Sequence, residues 1–203
     1  MARHLRERLT LATALERDDI IVGLRELVVE LRDAGEVAGI RLVGGAALAL
    51  RYFDRAVTQD LDVLHIRPGS DAAVAAAALQ VALRHDWDPA WLNFDVTRAD
   101  ALPTLGRQVE WEVIHDEYGI VIAVAAKEPL LAMKLRANRP GRDTRDIRLL
   151  IGLCGMTTVV EAEALYEAFY PGDSLSDRAT QMVTTILADG PVEAPTAPPR
   201  PII

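Results

Sequence analysis

The sequence predicts an α+β protein: a mixed αβ half with a mixed sheet and flanking helices over residues 1–126, a small C-terminal helical region over 127–189, and a Pro-rich tail over 190–203. Three observations carry that expectation. Two short apolar runs, Ile40 to Val43 and Leu61 to Ile66, have strand composition and stop at Gly44-Gly45 and Pro68-Gly69. Around them, apolar residues recur at helical spacing. After Lys127-Glu128-Pro129 the helical period takes over, with Pro129 suited to a first turn.

Taken in order, Asp19 to Ala34 puts Ile20, Ile21, Leu24, Leu27, Val28 and Leu31 on one helical face, with Asp18 or Asp19 suited to cap it. Ile40 to Val43 reads as a strand, Gly44-Gly45 as a turn and Ala46 to Phe53 as a helix. Leu61 to Ile66 is apolar on both faces and reads as a central strand. A helix at Ala72 to Arg84 precedes an irregular stretch containing Trp87, Pro89, Trp91 and Pro103. Val109 to His115 and Ile120 to Ala125 read as strands joined by the turn Asp116 to Gly119. A helix with Pro129 in its first turn follows and ends at the break Arg139-Pro140-Gly141; another runs from about Thr144 to Leu153, and one or two more cover Val159 to Tyr170 and Leu175 to Ala188. The tail from Gly190 is expected to be disordered or extended.

The 203 residues suffice for one substantial core, and the half of them that are hydrophobic is the balance of a chain that folds. A net charge of -8 argues against a surface coated in basic residues for non-specific nucleic-acid binding. The single cysteine, Cys154, has no internal partner and sits among apolar residues, which points to a buried thiol in a reducing compartment. Arg3, Arg6, Glu7, Arg8 and Glu16 interrupt the apolar start that a secretory leader needs. The alanine-rich run Asp71 to Leu83 is too short to cross a bilayer. The expectation is a cytoplasmic protein without a membrane partner.

Two features carry chemistry. Gly44-Gly45, between a strand and a helix, lets a phosphate approach backbone amides at a positive dipole end; a plain tight turn needs the same residues. Asp60 and Asp62 are two apart, so on an extended strand both carboxylates leave one face and can grip a divalent ion. Solvated acids at a strand end are the alternative. Two acids on an otherwise apolar strand carry repulsion and desolvation costs, however, which a cation would relieve.

Leu42-Val43-Gly44-Gly45 followed by Thr58-Gln59-Asp60-Leu61-Asp62 resembles the signature of the polymerase-β-like nucleotidyltransferase superfamily. Leu130 to Ala137, with Lys134, and Arg142-Asp143-Thr144-Arg145-Asp146 narrow the resemblance to the AbiEii and MenT toxin-type enzymes. Trp91-Leu92-Asn93 resembles a stretch in small relatives of that group. The resemblance covers about Ile40 to Ile151. It implies the nucleotidyltransferase fold and transfer of a nucleoside monophosphate from a nucleoside triphosphate, with Mg2+, onto the 3′ end of tRNA. It further implies a toxin with a cognate antitoxin protein. By position, Asp60 and Asp62 would bind metal, and Gly44 and Gly45 would hold the nucleotide. Lys134 would contact the triphosphate, with Asp146 as the downstream catalytic acid. Thr58 matches the residue beside the nucleotide that an antitoxin kinase phosphorylates in the MenT toxins.

The residues themselves leave other roles open. Lys134 is also an ordinary helix residue, and Asp146 is spaced to pair with Arg142. N-capping accounts for Asp143, which ranks below Asp146 for that reason. Arg136, Arg139, Arg142, Arg145 and Arg148 recur every third residue, as either an RNA-facing basic patch beside the cleft or a solvated face of ion pairs. Many polymerase-β-like enzymes use a third carboxylate on a later strand; Glu112 is offered by the pattern without a motif, and Asp95 falls in an expected loop. His4, His65, His85 and His115 lack metal-ligand spacing. Rival functions are nucleotidyl transfer to protein or to a small molecule such as an aminoglycoside, and a non-catalytic antitoxin or regulatory domain.

Overall fold

Strands β1 (Ala38–Leu42), β2 (Leu61–Ile66), β3 (Leu92–Asn93), β4 (Trp111–Glu117) and β5 (Ile120–Ala125) form a mixed sheet in the order β3-β2-β1-β5-β4. The computed structural model describes residues 14–98 and 101–203. Arg3, His4, Arg6, Glu7 and Arg8, read above for a leader or a ligand, lie outside the described residues. β1 runs antiparallel to β2 and parallel to β5, and β4 and β5 form an antiparallel hairpin. Tyr118 (φ 55) and Gly119 (φ 76) supply the left-handed backbone its turn requires.

Helices α1 (Arg17–Asp33), α2 (Gly44–Arg51), α3 (Asp71–His85) and the single turn α4 (Asp95–Arg98) accompany the sheet. α5 (Lys127–Ala137), α6 (Thr144–Cys154), α7 (Val159–Phe169) and α8 (Asp177–Ala188) make up the helical region. α1 buries Ile20, Ile21, Leu24, Leu27, Val28 and Leu31, the face its periodicity marks. Its cap is Glu16 rather than Asp18 or Asp19. Asp19 instead accepts a hydrogen bond from the Glu16 backbone N–H at 2.9 Å, one half of a capping box. Ser70, Thr158 and Ser176 cap α3, α7 and α8 by accepting from backbone amides three residues on.

Two details differ from the sequence reading. β2 is flanked by β1 and only the two-residue β3, so it lies one strand from the sheet edge rather than at its centre; Leu61 and Val63 are buried while Asp62, Leu64, His65 and Ile66 are half-buried. β3 and α4 stand in the stretch read as irregular, too short to show a period. The tail from Gly190, expected to be disordered or extended, carries no helix or strand, and its carbonyls serve as acceptors. Arg17 Nη2 donates to Pro199 O at 2.5 Å and Arg25 Nε to Ile202 O at 2.8 Å, while Arg200 Nη2 donates to Val113 O at 2.7 Å. Proline offers no amide for a ladder but keeps a free carbonyl, which suits a strap of this kind.

A continuous apolar core joins the two halves, with Leu42, Leu48 and Leu50 in the same cluster as Leu131, Leu135, Ile147 and Ile151. α5 packs on α2, α6 and α7, so the helical region closes over the end of the sheet where β1 and α2 meet. Among the described residues no single helix is long and apolar enough to cross a membrane.

Candidate active site

The first wall of the cleft is built at the end of β1. Val43 caps α2, and its backbone N–H donates to the Asp62 carbonyl at 3.1 Å. The glycines do not form a turn ahead of the helix; they are its first two residues, with Gly44 at φ +64. A Cβ on Gly44 would lie 2.8 Å from Asp62 Oδ2, and one on Gly45 would lie 2.6 Å from Thr58 Oγ1. Only glycine lets the amide end of α2 approach the acids this closely.

Asp60 immediately precedes β2 and Asp62 is its second residue. Both line one cavity of about 370 Å³, together with Gly44, Gly45, Thr58 and Lys134. Asn93 Nδ2 donates to Asp60 Oδ2 at 3.2 Å, and Asn93 Oδ1 accepts the Asp95 backbone N–H at 2.9 Å. The second bond fixes which end of the amide faces the acid. Burial pushes the Asp62 carboxyl above its ordinary range and the Asp60 charge adds to that, while Arg139, Lys134 and Arg142 pull the other way. Thr58 is buried, its hydroxyl donates to the Asp60 carbonyl at 3.1 Å, and its backbone pairs in both directions with Leu15.

The second wall comes from α5, α6 and the turn between them. Lys134 Nζ lies 2.6 Å from Asp143 Oδ1 and 2.9 Å from Asp146 Oδ2, with the three residues 6%, 0% and 3% exposed. Arg139 reaches Asp143 through Nε at 2.8 Å, Nη2 at 3.1 Å and its own backbone N–H at 3.0 Å. Arg55 Nε approaches Asp146 at 3.4 Å. Burial alone would raise the Asp143 carboxyl; the hydrogen bonds from Arg139 and Lys134 outweigh it and hold the group far below the usual carboxylate range.

This wall corrects several sequence expectations. Asp143 occupies the N-cap position of α6 without a side-chain capping bond, because both oxygens are taken by Lys134 and Arg139. Asp146 pairs with Lys134 and Arg55 rather than with Arg142. The five arginines do not form one patch: Arg139 and Arg142 line the cleft, whereas Arg136 binds Asp173, Arg145 the Asp54 carbonyl and Arg148 Asp189. A three-residue spacing that runs through a turn and into a new helix cannot keep one face. Glu112 is on the far edge strand, held by Arg51 Nε at 2.7 Å, and takes no part in the cleft.

Sequence reasoning missed Arg55, set Asp95 aside as a loop residue and gave Asn93 no role; Arg55 and Asp95 both line the cavity. Asn93 was within reach, since it belongs to the Trp91-Leu92-Asn93 stretch; Arg55 carries no motif at all. Cys154 is half-buried, its thiol pushed up to about 12 by burial, which suits a packing role. His65 and His85 contact Asp71 and Glu26, and His115 the Ile203 carbonyl, all away from the cleft.

The donor set of Asp60 and Asp62 is oxygen only, carboxylate and partly free, which fits a hard cation such as Mg2+ completed by phosphate and water. Among the described residues no group of three or more His, Cys, Asp or Glu side chains is arranged to hold a metal by itself. The chain matches no family model, no curated protein and no solved structure.

Proposed function

We propose that this protein is a Mg2+-dependent nucleotidyltransferase with the polymerase-β-like fold, of the AbiEii and MenT toxin type. The observation that carries the proposal is the convergence of Asp60, Asp62, Gly44, Gly45, Thr58 and Lys134 on one cavity from separate parts of the chain. Asp60 and Asp62 would hold the cation, which when bound neutralises and orients the triphosphate oxygens. The Gly44 and Gly45 amides open the start of α2 to phosphate, and Lys134 lies opposite. Asn93 keeps Asp60 oriented, and the buried Asp143 and Asp146 keep Lys134 in place. The acceptor hydroxyl oxygen bonds to the α-phosphorus as the bond to the β-phosphate breaks. The electron pair departs on pyrophosphate, and the hydroxyl proton passes to solvent water.

The acceptor we favour is the 3′ end of tRNA, in a cytoplasmic toxin restrained by a cognate antitoxin. Thr58 stands where a phosphoryl group would add negative charge beside two carboxylates and oppose a triphosphate, which is how an antitoxin kinase would silence the site. The test is incubation with Mg2+, each labelled nucleoside triphosphate, total tRNA and cell protein, beside Asp60→Ala and Asp62→Ala. Label in tRNA that needs both acids supports the proposal. Label only in protein or a small molecule removes the tRNA acceptor, and no transfer together with no Mg2+-dependent nucleotide binding favours a regulatory domain.

A further inference from the structure

Four cations among the described residues line the cleft, and they are not equally available. Lys134 sits between two buried carboxylates at 2.6 and 2.9 Å, so its charge is already matched twice and two of its three N–H donors are committed. Arg139 is bonded to Asp143 through Nε and Nη2. Arg55 donates through Nη1 to the Val57 carbonyl and approaches Asp146 through Nε at 3.4 Å, and that same Nη1 lies 3.0 Å from where a Cβ on Gly45 would stand. Arg142 differs from all three: it is exposed, reaches the cavity, and has no side-chain hydrogen bond or ion pair among the described residues. Its charge acts on Asp62 across the cleft, as do those of Arg139 and Lys134. The cation with the least internal compensation therefore stands opposite the acid pair, on the turn that precedes α6.

We infer that Arg142, assisted by Arg139 and Arg55, is the anchor for the terminal phosphates of the nucleotide, and that Lys134 is a positioning residue that holds the α5–α6 turn. This rests on the nucleotidyltransferase reading and assigns within it the group that distinguishes a triphosphate from a monophosphate. A planar guanidinium reaches two phosphate oxygens at once, which a twice-paired ammonium does not. The leaving pyrophosphate then departs toward Arg142, on the open side of the cleft.

The experiment is equilibrium titration of the full chain, with Mg2+, using each nucleoside triphosphate, its monophosphate and inorganic tripolyphosphate. Arg142→Ala, an exposed substitution, should leave the melting temperature unchanged. It should weaken triphosphate and tripolyphosphate binding about 10-fold, the size of one lost charge-assisted hydrogen bond, and leave monophosphate binding unaltered. Arg142→Lys should restore part of the loss. Equal weakening of all three ligands, or no weakening, overturns the assignment while leaving the proposed function standing. Absence of Mg2+-dependent triphosphate binding by the unsubstituted chain overturns both.

Discussion

The two walls of the cleft are both charged, but they are built on opposite terms. On the α5–α6 wall every buried charge has partners: Asp143 serves Lys134 and Arg139, and Asp146 serves Lys134 and Arg55. On the sheet wall, Asp60 has a single neutral amide among the described residues and Asp62 is half-buried with its carboxyl pushed upward. A compensated network holds a turn in place; an under-compensated pair stores affinity for whatever cation arrives. On the function proposed, the difference separates residues that would shape the site from those that would bind in it.

Exchanging the outcomes for the two walls would break this comparison. The largest expected effect is on the sheet wall, where Asp62→Ala should cut transfer by about 10³-fold or more, since several kcal/mol of charge stabilisation are lost. The melting temperature should hold or rise, because an uncompensated charge has gone. Single-turnover transfer and thermal melting together check it. On the other wall the largest effect should be on stability: Asp143→Ala leaves Arg139 without its buried partner and Lys134 with Asp146 alone, and should cost about 3–5 kcal/mol in urea unfolding.

Acid should act mainly through that same network. The Asp143 carboxyl is depressed, so its contribution is fully present above the unfolded value of about 3.9 and is lost as pH falls below that toward the folded value. Urea midpoints of the natural chain should drop through this acid range, and Asp143→Asn should flatten the drop. Asp62 has the opposite sign. Its raised carboxyl withdraws stability as pH climbs from the unfolded value through the folded one, so Asp62→Asn should be the more stable protein at neutral pH.

Gly44→Ala places a side chain at φ +64 and against Asp62 Oδ2, which should cost about 1–2 kcal/mol and raise KM for the nucleotide. The smallest effect belongs to Glu112→Ala, which removes a half-exposed pair with Arg51, should cost under about 1 kcal/mol, and should leave transfer unchanged. A large loss of transfer in Glu112→Ala would return that residue to the site.

The sheet wall was legible because its logic is local. A glycine pair ending one apolar run and two acids at spacing two entering the next are visible within twenty residues, and strand periodicity fixes their common direction. The second wall was only half legible. Lys134 and Asp146 stand in a readable motif, but Asp143 looked like a cap, because the three groups that take its oxygens declare themselves only when Arg139 folds back over the turn. Arg55 meets Asp146 across 91 residues, and Asn93 meets Asp60 across 33. No window on the chain holds those pairs. The arginine series, open in the sequence between a basic patch and a face of ion pairs, divides between the two for the same reason, since its spacing runs from α5 past the Asn138 C-cap, through a turn and into α6.

Titration calorimetry of a nucleoside triphosphate into the natural chain and into Asp62→Asn, each with and without Mg2+, asks whether the sheet wall binds metal and nucleotide as a unit. Binding that requires Mg2+ in the natural chain and disappears in Asp62→Asn is the predicted result. Binding that is indifferent to the metal, or that survives the substitution at full strength, would contradict it.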